Sequence, residues 1–193
     1  SGTEYTVVER LASSSAAGGL RMDAIGLVPE LTAKAARDAC LNSGAKLVGV
    51  YSYELTDGDL RKIEDGRSDI ILLAGGTDGG NRDVILHNAR MLAGSGIAAP
   101  VIVAGNRNCC DEICGILRAG GKEPIPTENV LPKINMPNIE PVRREIRELF
   151  IHRIIQAKGI ERATSYVEKI LMPTPTAVLK GATLLSQGTS TVP

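Results

Sequence analysis

Aromatic residues are nearly missing from this chain, which has four Tyr, one Phe and no Trp among 193 residues. Binders of single-stranded nucleic acid stack bases on aromatic side chains, so that class loses its main device. An excess of either charge is missing too. The 22 Lys and Arg balance 22 Asp and Glu, leaving no global field to attract a phosphate backbone or an anionic membrane. Any anionic ligand must therefore be held by local geometry. No apolar run reaches the roughly 18 residues that a spanning helix needs. No basic stretch leads into an apolar segment with a cleavage site. The expectation is a cytoplasmic protein with neither nucleic acid nor membrane as partner.

Catalytic constellations are also missing. His87 and His152 are the only imidazoles, with no second ligand at metal-binding spacing. There is no GxSxG elbow for serine hydrolase chemistry and no carboxylate pair marked out for acid and base work. No catalytic residue and no metal site is assigned. Four cysteines stand at 40, 109, 110 and 114. The last three fall in one expected helix, with Cys110 and Cys114 on one face and Cys109 on another. That arrangement suits neither a disulfide framework nor zinc-binding CxxC pairs, so reduced thiols are expected.

Ala, Val, Ile and Leu must then fill the core, and from Thr32 onward they alternate between helical and strand-like patterns. A helix is expected over 32–41, a strand over 47–51 and a helix capped at Thr56-Asp57 and stopped by Gly66. Asp69-Ile70-Ile71-Leu72-Leu73-Ala74 is apolar at consecutive positions, the mark of a central strand covered on both faces. A helix capped by Asn81 follows and ends at Gly94. Residues 100–104 form a further buried strand. The cysteine-bearing helix follows, with Asn108 and Asp111 as candidate caps, and then an edge strand over 123–126, where proline is tolerated.

The pattern predicts a three-layer, doubly wound α/β fold with a mainly parallel sheet over residues 1–130. Residues 131–193 are expected to form a helical extension: a long helix over 138–158, a short one near 160–170 and a third from Pro173 to Gln187. The chain opens Ser-Gly-Thr and is read as an excerpt of a longer polypeptide.

One segment stands above this background. Gly75-Gly76-Thr77-Asp78-Gly79-Gly80-Asn81 joins the central strand to a helix, at the sheet edge where open α/β folds place their ligands. Its glycines leave backbone amides unobstructed at a helix N-terminus, which suits a nucleotide phosphate or another anion. Thr77 adds a hydroxyl, and Asp78 a carboxylate able to hold a magnesium-bound water. The plain alternative is a tight turn that caps a helix and binds nothing. The loop is neither a Walker motif nor the GxGxxG fingerprint. Gly105 and Asn106 occupy the equivalent place after the next strand, and the two loops are expected to line one crevice, with Arg107 as a surface residue beside it. Residues 13–19, Ser-Ser-Ser-Ala-Ala-Gly-Gly, read as a linker or turn.

Taken together, several phrases resemble the MutL (GlmL) family of glutamate mutase accessory proteins. They are Ala-Ser-Ser-Ser-Ala-Ala-Gly-Gly-Leu-Arg-Met at 12–22, Gly-Leu-Val-Pro-Glu-Leu-Thr at 26–32, Leu-Leu-Ala-Gly-Gly-Thr-Asp-Gly-Gly-Asn at 72–81, Val-Ile-Val-Ala-Gly-Asn at 101–106 and Met-Pro-Thr-Pro at 172–175. The resemblance implies an accessory or reactivating role for adenosylcobalamin-dependent glutamate mutase, with the mutase subunits as partners and ATP with magnesium used by the full-length protein. It also implies kinship with the actin-like ATPases.

Both phosphate loops of those ATPases, Asp-x-Gly-Ser/Thr and Asp-x-Gly-Gly-x-Thr-Asp, are absent, so no cofactor and no ATP hydrolysis is expected of this fragment. Residues 32–130 look like a flavodoxin-like, cobalamin-binding domain that lacks its Asp-x-His-x-x-Gly motif. Two roles stay open: part of an ATP-driven reactivating chaperone, or a non-enzymatic domain that docks on mutase subunits.

Overall fold

The computed structural model describes residues 11–14, 19–41, 43–157 and 169–187. Its centre is β4 (Ile70–Leu73), four consecutive buried aliphatic residues. Around it a five-stranded sheet takes the order β3-β2-β4-β5-β6, with β2 at Leu20–Gly26, β3 at Ala45–Ser52, β5 at Val101–Val103 and β6 at Pro124–Pro126. Every pairing is parallel. Both edges of β4 are thus occupied, and its continuous apolar run follows from cover on both faces.

The helices divide between those faces. α1 (Pro29–Cys40) and α5 (Glu140–Ala157) lie on one side, where Ala35, Ala36 and Ala39 of α1 and Val142, Ile146 and Phe150 of α5 pack on Met22, Leu72 and Ile102. α2 (Asp57–Gly66), α3 (Asp83–Ala93) and α4 (Cys110–Ala119) lie on the other, where Ile63, Ile85 and Ile113 pack on Ile25, Leu73 and Val103. The fold is the doubly wound, three-layer α/β architecture that the alternation predicts. α1 brings alanines to its sheet, Ala35, Ala36 and Ala39.

Local chemistry explains most boundaries. α1 starts three residues before the predicted Thr32, because Pro29 suits the first turn of a helix. Thr56 and Asp59 close a capping box on α2, and Arg67 ends that helix in the left-handed region at φ 47°. The cap of the cysteine helix is corrected: neither Asn108 nor Asp111 caps it, Cys109 stands at its N-cap with no side-chain cap bond, and Asn106 accepts from the Asn108 amide at 3.0 Å to open the short 3₁₀ turn Arg107–Cys109 that leads into α4.

The pattern passed over β2 entirely. Arg21, Asp23 and Gly26 interrupt its apolar run, yet Asp23 is 2% exposed inside the sheet. The Ser68 hydroxyl donates to its carboxylate, and burial still pushes the Asp23 pKa up. The folded state therefore holds this proton more tightly than the unfolded chain. The contribution of Asp23 to stability is fully present below the ordinary carboxylate value and is lost as pH rises through the raised one. Asp23→Asn is expected to flatten that fall and to gain about 1 kcal/mol near neutral pH. Urea melts at several pH values check this, and an unchanged pH profile would remove the buried charge as its cause.

Beyond residue 130 the expectation of a purely helical extension is corrected. α6 (Thr174–Gln187) is a helix as predicted, but Lys169–Pro173 is a strand, β7, paired in parallel with β1 (Leu11–Ser14). Ile170, the predicted end of a short helix, lies in β7, and residues 158–168 fall outside the described ones, as do 1–10 and 15–18.

Candidate functional site

The strand order reverses beside β2, since the chain moves outward from β2 to β3 and then returns to β4 on the other side. Beyond the carboxyl ends of β2 and β4, such a reversal opens a crevice where ligands of open α/β sheets bind. A cavity of about 300 Å³ lies there. Leu27, Val28, Leu31 and Ala35, from the β2–α1 turn and α1, line one side; Gly75, Gly76, Thr77 and Asn81 line another; Val130, Leu131 and Ile134 complete it. No charged side chain is among the lining residues.

The glycine loop is held in place by asparagines. Gly76 has φ +72°, and a Cβ there would stand 2.2 Å from the Asn81 carbonyl oxygen, so the loop folds back on itself with no room for a side chain. Gly80 donates to the Thr77 carbonyl at 2.9 Å. Asn106 is 0% exposed. Its Oδ1 accepts from Gly79 N at 3.1 Å, and its Nδ2 donates to the carbonyls of Gly80 at 3.1 Å and Asn81 at 3.3 Å. Gly105 packs directly beneath, where a Cβ would meet the Gly75 carbonyl oxygen at 2.8 Å. Gly105 and Asn106 thus brace the glycine loop from below and are not among the cavity's lining residues, contrary to the expectation that two loops line one crevice.

Asn129 completes the brace and was not foreseen. It is 3% exposed, and its Nδ2 donates to the Gly76 carbonyl at 3.0 Å and to Asp78 Oδ1 at 2.9 Å. The only sequence signal was one asparagine in a proline-rich stretch. The same Asp78 oxygen accepts from Arg107 N at 3.1 Å, and the Asp78 amide donates to the Pro132 carbonyl at 3.0 Å. Asn81 accepts from Val84 N at 3.3 Å and caps the start of α3. Among the described residues, the amides of Gly75, Gly76 and Thr77 donate to no protein acceptor.

Other candidates fall away. A larger cavity of about 620 Å³ opens at the amino ends of the strands, away from the carboxyl edge where open α/β sheets bind ligands; in it Arg153 pairs with Asp69 at 2.5 Å, and Glu64 accepts from Gly96 N at 2.9 Å. His87 Nε2 lies 3.1 Å from the Leu55 carbonyl oxygen, and His152 is exposed. All four cysteines are free. Burial, with Cys114 adjoining, pushes the Cys110 thiol up to about 11, so it stays neutral and unreactive. Among the described residues no group of His, Cys, Asp and Glu is placed to hold a metal, and no helix is long and apolar enough to cross a membrane.

Comparison with known proteins adds the family. The model of the MutL protein family matches residues 1–192. The chain belongs to the MutL family. Protein MutL of Clostridium tetanomorphum is 53% identical over 188 residues, which are 97% of this MutL-family chain and 41% of that protein. The chain therefore spans less than half the length of this relative. Two solved structures are similar in part. A short-chain flavodoxin associated with a non-canonical PDU bacterial microcompartment has a TM-score of 0.46 and 15% identity, covering 69% of this chain and 98% of that one. The signal receiver domain of a modulated diguanylate cyclase from Desulfovibrio desulfuricans G20 has a TM-score of 0.43 and 20% identity, covering 68% and 94%. The MutL-family fold is defined by its own strand order rather than by these likenesses.

Proposed function

We propose that this chain is part of a cytoplasmic accessory protein for adenosylcobalamin-dependent glutamate mutase, and that within it the α/β unit is a non-enzymatic docking domain for the mutase subunits. The observation that carries this reading is the apolar lining of the switch-point cavity. Pockets for small polar ligands combine apolar walls with a few convergent polar side chains, whereas this one is lined mostly by aliphatic side chains and backbone, with Thr32, Thr77 and Asn81 as its polar members and no charge. Ile134, in its lining, is 74% exposed, and Met136, two residues further along the chain, is 60% exposed. Exposed apolar residues around an apolar cleft suit an aliphatic or aromatic anchor from another protein.

The test uses the full-length protein and the separate mutase subunits. Ile134→Asp and Leu31→Asp are each expected to weaken binding about tenfold or more with the circular dichroism spectrum unchanged. Unchanged affinity in both variants would overturn the docking site.

The unpartnered amides of Gly75, Gly76 and Thr77 favour a second reading, in which the loop senses ATP and magnesium in the full-length protein. The fit to a triphosphate is poor, because no Lys or Arg lines the cavity and one Asp78 oxygen is already bonded twice. No step of ATP chemistry is assigned to these residues. Under this reading, Thr77→Ala and Asp78→Ala abolish the nucleotide dependence of mutase binding while docking itself persists. Calorimetry that detects no ATP·Mg binding by the full-length protein would remove it.

A further inference from the structure

β1 and β7 stand apart from the five-stranded sheet. They pair in parallel, Leu11 opposite Lys169 and Ser14 opposite Pro173, and α6 packs against both. The whole doubly wound unit, residues 20–157, lies between them in sequence. It is thus an insertion between two adjacent strands of a different sheet.

Such a pair is not a finished structure. Two strands alone are at best marginally stable in water, and parallel strands are normally covered on both faces. Exposed sheet edges are usually protected by charge or proline. Leu-Ala-Ser-Ser has neither, and Lys-Ile-Leu-Met-Pro has them only at its two ends. α6 is equally unsuited to water. Val178, Leu184 and Leu185 are 65%, 67% and 77% exposed, and Lys180 is the one charged residue in its 14. A helix that faces solvent carries charges there, as α5 does with Glu140, Arg144 and Glu148.

The relative that is 53% identical supplies the occupant, since the 188 matched residues are 41% of its length and more than half of that protein lies outside the match. We infer that β1, β7 and α6 are one part of a second sheet domain, completed by the segments of the full-length polypeptide outside these 193 residues. Those segments add strands to the β1–β7 pair and cover the Leu184–Leu185 face. The inserted α/β unit is then carried by that domain, whatever it binds.

The test is made on the full-length polypeptide. Hydroxyl-radical footprinting is expected to find Leu184 and Leu185 about tenfold less reactive than Leu41, which is 60% exposed on the α/β unit. Cross-linking from Lys180 is expected to reach lysines outside residues 1–193 of the same polypeptide. Reactivity equal to that of Leu41 would overturn the inference. So would protection with cross-links confined to residues 1–193, or protection that is lost when sedimentation shows a dimer dissociating, because the cover would then be this segment itself or a second copy.

Discussion

Asn106→Ala should unfold the 193-residue chain at a free energy about 3 kcal/mol lower, in urea melts followed by circular dichroism. The side chain is 0% exposed and holds four backbone groups: the amides of Gly79 and Asn108, and the carbonyls of Gly80 and Asn81. Each such bond contributes about 1 kcal/mol net, and the groups left behind at the buried end lose more than those that reach water. Asn106→Asp separates donor from acceptor. It keeps the bonds accepted by Oδ1 and sets a second carboxylate oxygen against two carbonyls, so it should be no more stable than Ala at neutral pH. It should recover part of the loss in acid, where the protonated carboxyl donates again. A loss below about 1 kcal/mol in the alanine variant would mean that the glycine loop holds its shape without this brace.

Gly76→Ala should cost about 3 kcal/mol, against about 1 for Gly79→Ala. Both positions have nearly the same left-handed backbone, at φ +72° and +76°, so the conformational penalty of a side chain is common to them. Their surroundings differ. A Cβ at Gly79 meets nothing nearer than Asn108 Nδ2 at 3.8 Å, whereas one at Gly76 would lie 2.2 Å from the Asn81 carbonyl oxygen. Backbone oxygen cannot swing aside as a flexible side chain can, so the loop and the cavity wall it forms must move. The difference of about 2 kcal/mol between the variants measures that close approach. Gly76→Ala should also weaken binding of the mutase subunits, while Gly79→Ala should not. Equal costs at the two positions would show that backbone strain alone, and not the folded-back loop, makes glycine necessary.

Much of this was legible in the residues. Ile70-Ile71-Leu72-Leu73 announces a central strand because a parallel strand needs no polar side, and the glycine run directly after it marks the carboxyl edge of the sheet. β2 was not legible. A buried aspartate looks like a surface residue until Ser68, 45 positions away, is seen to donate to it. Nor was β7, since Lys-Ile-Leu-Met-Pro has no alternation and acquires strand character only from β1, more than 150 residues earlier. At the site, the glycine loop was visible and its supports were not. Asn106 has the composition of a ligand-binding loop residue, and only its burial turns it into a brace.

From its order of residues alone, this chain determined a layered α/β fold, a glycine loop at the sheet's open edge and its likeness to the MutL family, because periodicity, turn chemistry and phrase matching are local properties. Tertiary structure decided that β2 lies beside β4, that an apolar cavity opens between their ends, that Asn106 and Asn129 are used up holding the loop, and that β1 pairs with β7. Each of these depends on groups far apart in sequence meeting at bonding distance. Hydrogen bonds and close contacts of that kind leave no periodic trace along the chain.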